Sequence, residues 1–198
     1  MEVKKGEQMS RKFTPRFLNK TDVLRFSCQT FKRGQKIRNL NPQSAIIMFH
    51  LKEGDAAPDF AAPNEKGQTV RLADYKGKKL VLYFYPKDDT PGCTAEACSL
   101  RDGYGSFQAK GYEILGVSPD SVKKHVKFQE KYHLPFSLLA DEDHAVALAY
   151  GVWGQKKFMG RTYDGIHRTT FVIDEKGKIE RIIAKVDTGN HAVQLLEQ

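Results

Sequence analysis

The sequence predicts an α/β protein with a mixed central sheet and helices on both faces, and three observations predict it. From Leu51 onward, strand-like and helix-like stretches alternate. The run Leu80–Tyr85 is apolar on both faces, as a buried central strand is, and Tyr112–Val117 reads as a second one. Near the end, Asp174-Glu-Lys-Gly177 separates two apolar runs in the manner of a hairpin turn.

Taken in order, Leu51 to Phe60 is extended, because Ala57 precedes a proline and so avoids the helical region. Thr69 to Leu72 is a short alternation after the turn Asn64-Glu-Lys-Gly67, and Leu80–Tyr85 follows. A helix is expected from Cys93 to Lys110, weakened at Gly103 and Gly105. After the strand Tyr112–Val117, Ser118 and Asp120 can cap a helix running to Tyr132, with Val122, Val126 and Tyr132 on one face. Phe136–Leu139 is a third strand, and Asp141-Glu-Asp143 supplies first-turn acids for a helix to Tyr150. The hairpin Arg168–Asp174 and Lys178–Lys185 and a final helix His191–Glu197 complete the chain. Right-handed crossovers make the early strands parallel, while the hairpin adds antiparallel ones. Ligands then bind beyond the carboxyl ends of the parallel strands, where the loop Pro86–Gly92 emerges.

The net charge of +8 belongs to one end. Residues 1–47 hold 11 Lys/Arg against 3 Asp/Glu, whereas residues 48–198 hold 21 of each. The expected organisation is therefore a basic, disordered extension over 1–47 and one domain over 48–198. The extension reads as a leader or a start misplaced ahead of Met48, with an organelle-targeting peptide as the next reading and a nucleic-acid or membrane-surface arm as the last. No stretch is apolar over the ~18–20 residues that span a bilayer. Three cysteines are too few for a disulfide scaffold and suit a reducing compartment, so a cytoplasmic location is expected; Cys28, in the extension, is incidental.

Cys93 and Cys98 carry the chemistry. Cysteine attacks as thiolate, and an unperturbed thiol is only ~3% ionised at pH 7. In the first turn of a helix, Cys93 faces unpaired backbone N–H groups and the positive dipole end, which favour the anion. Thr90 can present a hydroxyl to a bound peroxide, and Pro86 and Pro91 stiffen the loop around the sulfur. Taken singly, Thr90 reads as a helix cap and Arg168 as a surface charge. Five residues of helix advance ~7.5 Å and put the two Cα atoms roughly 8–9 Å apart. A disulfide needs them within ~7 Å. The helix must therefore unwind locally for Cys98 to capture a sulfenic acid on Cys93 before further oxidation.

At these residues the chain resembles the peroxiredoxins, in particular the bacterioferritin comigratory protein (Q-type) subfamily. The pattern Pro-x-x-x-Thr-x-x-Cys falls on Pro86, Thr90 and Cys93, and the subfamily's second cysteine falls on Cys98. Tyr83-Phe-Tyr-Pro86, Gly151-Val-Trp-Gly154 and the stretch Phe158 to Arg168 extend the likeness over about residues 49–198. The resemblance implies a thioredoxin-like fold, Cys93 as peroxidatic and Cys98 as resolving residue in an intramolecular disulfide, and Arg168 as the active-site arginine. It implies a thioredoxin-recycled reductase of hydrogen peroxide and organic hydroperoxides, serving antioxidant defence.

Six dispersed histidines and two cysteines make no zinc pattern, and no phosphate-binding glycine loop occurs, so neither metal nor cofactor is expected. Trp153 and Met159 are expected in a loop packed near the pocket. A disulfide oxidoreductase acting on proteins is the competing enzyme, but that chemistry favours Cys-x-x-Cys. A sensor using the basic tail is the competing non-enzyme. An intrachain disulfide lets a monomer work, with no nucleic acid or membrane as partner.

Overall fold

In the computed structural model the protein is described over residues 51–158 and 160–197. Residues 1–50 and Met159 lie outside the described residues, and so do the expectations placed on them.

Five strands form the main sheet, in the spatial order β5-β4-β3-β8-β9. β3 (Lys79–Phe84), β4 (Tyr112–Ser118) and β5 (Ser137–Ala140) run parallel; β8 (Thr169–Ile173) lies antiparallel to β3 and β9 (Ile179–Ile183) antiparallel to β8. The central place of β3 explains its composition. Leu80, Leu82 and Phe84 enter one core and Val81, Tyr83 and Tyr85 the other, so both faces must be apolar. Around the sheet stand α1 (Pro91–Asp102), α2 (Tyr104–Ala109), α3 (Val122–Tyr132), α4 (Ala145–Ala149) and α5 (His191–Leu196). Residues of α1, α2, α3 and α5 pack in the core of Val81 and Tyr83, and those of α4 in the core of Leu80 and Phe84. The mixed sheet with helices on both faces stands. Two hairpins form separate two-stranded sheets: β1 (Ala61–Pro63) with β2 (Thr69–Arg71), and β6 (Trp153–Phe158) with β7 (Arg161–Ile166).

Several local expectations need correction. The single helix expected over Cys93–Lys110 is two helices broken at Gly103. A Cβ on Gly103 would stand 2.7 Å from Cβ of Ala192, so the glycine lets α5 approach the break. Neither Ser118 nor Asp120 caps α3, whose N-cap is Ser121 without a side-chain bond. Asp120 instead accepts from the Asp88 N–H at 2.7 Å and from Lys124 Nζ at 2.7 Å. The buried face of α3 is His125 and Phe128, with Val122 and Val126 only half-buried. Asp141 precedes α4 rather than filling its first turn; its carboxylate accepts from the Val146 and Ala147 N–H groups at 2.9 and 2.8 Å. Trp153 opens a strand, not a loop, and packs against His144 with ring centroids 3.7 Å apart and planes tilted by 38°. Among the described residues no helix is long and apolar enough to cross a membrane.

Candidate active site

β3 ends at the middle of the sheet and delivers the chain into Pro86–Thr90, a loop over the carboxyl ends of the parallel strands. Thr90 is the N-cap of α1 with extended backbone (φ −105°, ψ 148°), and Pro91 takes the first helical position, where its missing N–H costs no helical bond. Cys93 therefore lies in the first turn, 1% exposed, with its side chain turned into the core that holds Tyr83 and Ala97. Pro86 and Thr90, in the loop that leads to it, are half-buried. The Thr90 hydroxyl donates to the Lys87 carbonyl at 3.1 Å, leaving its oxygen free to accept.

Arg168, immediately before β8, is brought to the same place because β8 pairs with β3, with Thr169 opposite Phe84. Its Nη2 donates to Cys93 Sγ at 3.1 Å. Its Nη1 is bonded to Glu96 Oε2, one helical turn beyond Cys93. Burial resists the Arg168 charge, but Glu96 and the Cys93 sulfur together hold its pKa above the ordinary value. Arg168 and Cys93 are thus in direct contact, and Arg168 is no surface charge, while Pro86 and Thr90 lie in the loop that leads to Cys93.

Glu96 is a member of this group that sequence reasoning did not single out. Its carboxylate is fully buried, and burial pushes its pKa up to about 7 in spite of Arg168. Oε1 makes no hydrogen bond and stands 3.9 Å from His191 Nε2. His191 is held in one tautomer: Gln194 has its amide oriented by the Asp187 N–H and the Lys185 carbonyl, so its Oε1 accepts from His191 Nδ1 at 3.0 Å. The Thr170 hydroxyl then donates to Nε2 at 2.8 Å. Burial lowers the His191 pKa to about 4, which keeps the imidazole neutral. The signal for Glu96 lay in its spacing alone, three residues after Cys93 and on the same helical face.

Cys98 is half-buried on the same unbroken helix, and both thiols are free. Helical geometry leaves their Cα atoms roughly 8–9 Å apart, outside disulfide reach. Among the described residues no three His, Cys, Asp or Glu side chains are grouped to hold a metal ion.

A buried sulfur at a helix N-terminus, facing a guanidinium that is itself fixed by a carboxylate, defines a protein of thiol redox chemistry. Residues 53–182 match the AhpC/TSA family, and the chain belongs to that family. It is 50% identical over 144 residues to peroxiredoxin Bcp of Escherichia coli (strain K12), covering 73% of this chain and 92% of that one. With peroxiredoxin Bcp of Bacillus subtilis (strain 168) the identity is 51% over 147 residues, covering 74% and 94%. Among solved structures, PrxQ of Xylella fastidiosa superposes with a TM-score of 0.70 at 32% identity, over 75% of this chain and 94% of that one. Peroxidoxin BcpB of Mycobacterium tuberculosis gives 0.67 at 36%, over 75% and 96%. The fold is accordingly thioredoxin-like, and the chain is a peroxide-reducing peroxiredoxin of the Bcp/PrxQ kind.

Proposed function

We propose that the chain reduces hydrogen peroxide and organic hydroperoxides at Cys93, with Cys98 as resolving thiol and thioredoxin as the reductant. The observation that carries the reading is the 3.1 Å contact from Arg168 Nη2 to Cys93 Sγ at the first turn of α1. A guanidinium and helix N–H groups both favour negative charge on sulfur.

The Cys93 thiolate attacks one peroxide oxygen, the O–O bond breaks to leave Cys93 as sulfenic acid, and the other oxygen departs as hydroxide or alkoxide that takes a proton from solvent to become water or alcohol. Arg168 stabilises the charge developing on the leaving oxygen. Thr90, its own proton committed to Lys87, accepts from the hydroperoxide O–H and so orients it, while Pro86 helps exclude water. The sulfenic acid on Cys93 is then attacked by the Cys98 thiolate, forming the Cys93–Cys98 disulfide and expelling hydroxide, which the proton given up by the Cys98 thiol converts to water. This step needs the first turns of α1 to open, because the intact helix holds the two apart. Thiol exchange with reduced thioredoxin restores both thiols and leaves thioredoxin oxidised. Organic peroxides are included because a similar structure, of the bacterioferritin comigratory protein of Xanthomonas campestris, is described for its alkyl peroxide reduction.

The cycle needs one chain, so the enzyme works as a monomer, in antioxidant defence in the cytoplasm. Residues 1–47 are an extension outside the domain, a reading supported by the start of the family match at residue 53. One equivalent of hydrogen peroxide added to reduced protein should consume the Cys93 thiol within milliseconds, then Cys98. Peptide mass spectrometry should recover the two linked. Turnover with both side chains unlinked and unmodified would overturn the proposal.

A further inference from the structure

A second polar cluster lies under the loop that leads to Cys93, built around His125, which is wholly buried on α3. His125 Nε2 stands 3.0 Å from the Leu139 carbonyl oxygen, which can only accept, so this nitrogen carries a proton. Nδ1 stands 2.7 Å from Asp88 Oδ2. One proton bridges that contact whichever atom owns it. The other carboxylate oxygen of Asp88 accepts from the Tyr85 hydroxyl at 2.7 Å, and the Asp88 N–H donates to Asp120 Oδ2 at 2.7 Å. Asp88, two residues before Thr90, is therefore gripped on its backbone and on both carboxylate oxygens. The next residue, Asp89, adopts a left-handed conformation (φ 55°) unusual for a side chain with a Cβ. Its carboxylate reaches outward to Lys131 Nζ at 2.8 Å and the Tyr132 hydroxyl at 2.6 Å, again on α3. Two successive carboxylates, one buried and one exposed, thus moor the loop to one helix on the way to the reacting groups.

We propose that His125 is a positioning residue for the reaction at Cys93: through Asp88 it fixes the Pro86–Pro91 loop, and with it the Thr90 hydroxyl that aligns the peroxide. The inference rests on the roles given above to Cys93 and Thr90. The imidazole touches neither sulfur nor substrate. It offers a short, directional link from a packed helix to a loop whose strained residue 89 would otherwise relax. Loss of that link moves Thr90 relative to Cys93 without removing Arg168 or the helix N-terminus from the sulfur.

The test compares two reactions of the same sulfur in the full-length protein. Peroxide reduction needs an aligned oxygen; alkylation by iodoacetamide needs only an accessible thiolate. In His125→Gln the single-turnover rate with hydrogen peroxide should fall about 10- to 100-fold, with the alkylation rate unchanged. Asp88→Asn, nearly isosteric, should do the same and serves if His125→Gln fails to fold. Ile173→Ala, in β8 at the other end of the sheet, removes buried side chain without touching the loop and should leave both rates unchanged. An undiminished peroxide rate in both loop-link variants overturns the inference. So does a rise in alkylation alongside the loss, which would mean general loosening, or an equal loss in Ile173→Ala. A wild-type protein in which peroxide leaves Cys93 unmodified refutes the underlying assignment of Cys93 instead.

Discussion

Arg168 joins Cys93 and Glu96 with the two branches of one guanidinium, and the carboxylate it holds is fully buried while its own side chain keeps 21% exposure. The planar fork makes this possible, since two acceptors one helical turn apart are reached together. Lysine offers one compact charge and cannot span them.

Arg168→Lys should therefore lower the second-order rate of Cys93 oxidation by about 10²-fold, the size of losing one donor to a developing oxyanion. Stopped-flow fluorescence with hydrogen peroxide would measure it. Arg168→Met should also destabilise the fold above pH 7, where Glu96 is charged and would lose its partner. That cost should shrink at pH 5, where Glu96 takes up a proton.

Glu96 and His191 have opposite effects on how stability depends on pH. The Glu96 pKa is raised to about 7, so the folded state binds that proton more tightly, and this contribution falls as pH rises from about 4.5 to 7. The His191 pKa is lowered to about 4, so its contribution rises with pH between about 4 and 6.5. The two largely cancel over their shared range. Glu96→Gln removes the first and should leave stability climbing more steeply between pH 4.5 and 6.5 than in the wild type, by up to about 3 kcal/mol. Urea denaturation across that range would measure it; an unchanged slope would contradict the prediction.

Cys98→Ser should retain one rapid oxidation of Cys93 and lose thioredoxin-driven turnover. Under excess peroxide it should pass to sulfinic acid faster than the wild type, because nothing captures the sulfenic state. Intact-mass measurements over time distinguish these outcomes from unimpaired cycling.

Gly103→Ala should cost about 1–3 kcal/mol, as overpacking does. The cause is steric: Gly103 has φ −85°, open to any residue, while the added Cβ would meet Ala192 at 2.7 Å. Ala192→Gly in the same protein should recover part of the loss. A double-mutant cycle by chemical denaturation tests the pairing.

The sequence made the parallel strands legible because β3 and β4 are buried on both faces and carry no competing period. Pro86, Thr90 and Cys93 were legible because they are close in sequence, and Arg168 through resemblance alone. The hairpin of β6 and β7 was not. Arg161, Thr162, Tyr163 and Asp164 are all exposed, so no alternation marks the strand, and Gly154 and Gly165 dilute it further. Its turn is marked only by Gly160, with φ +77°. His125, the buried histidine of α3, was passed over because it ranks as polar; its partner Asp88 is 37 residues away. Glu96 was passed over for the same reason, since its partner Arg168 is 72 residues distant.

Both sulfurs of the proposed cycle ride on one helix of one chain, and this fixes a kinetic order. Capture of the oxidised sulfur is a first-order event, set by how often α1 opens and indifferent to how much enzyme is present. Dilution leaves the partition between rescue and irreversible damage where it was, and only the peroxide level moves it.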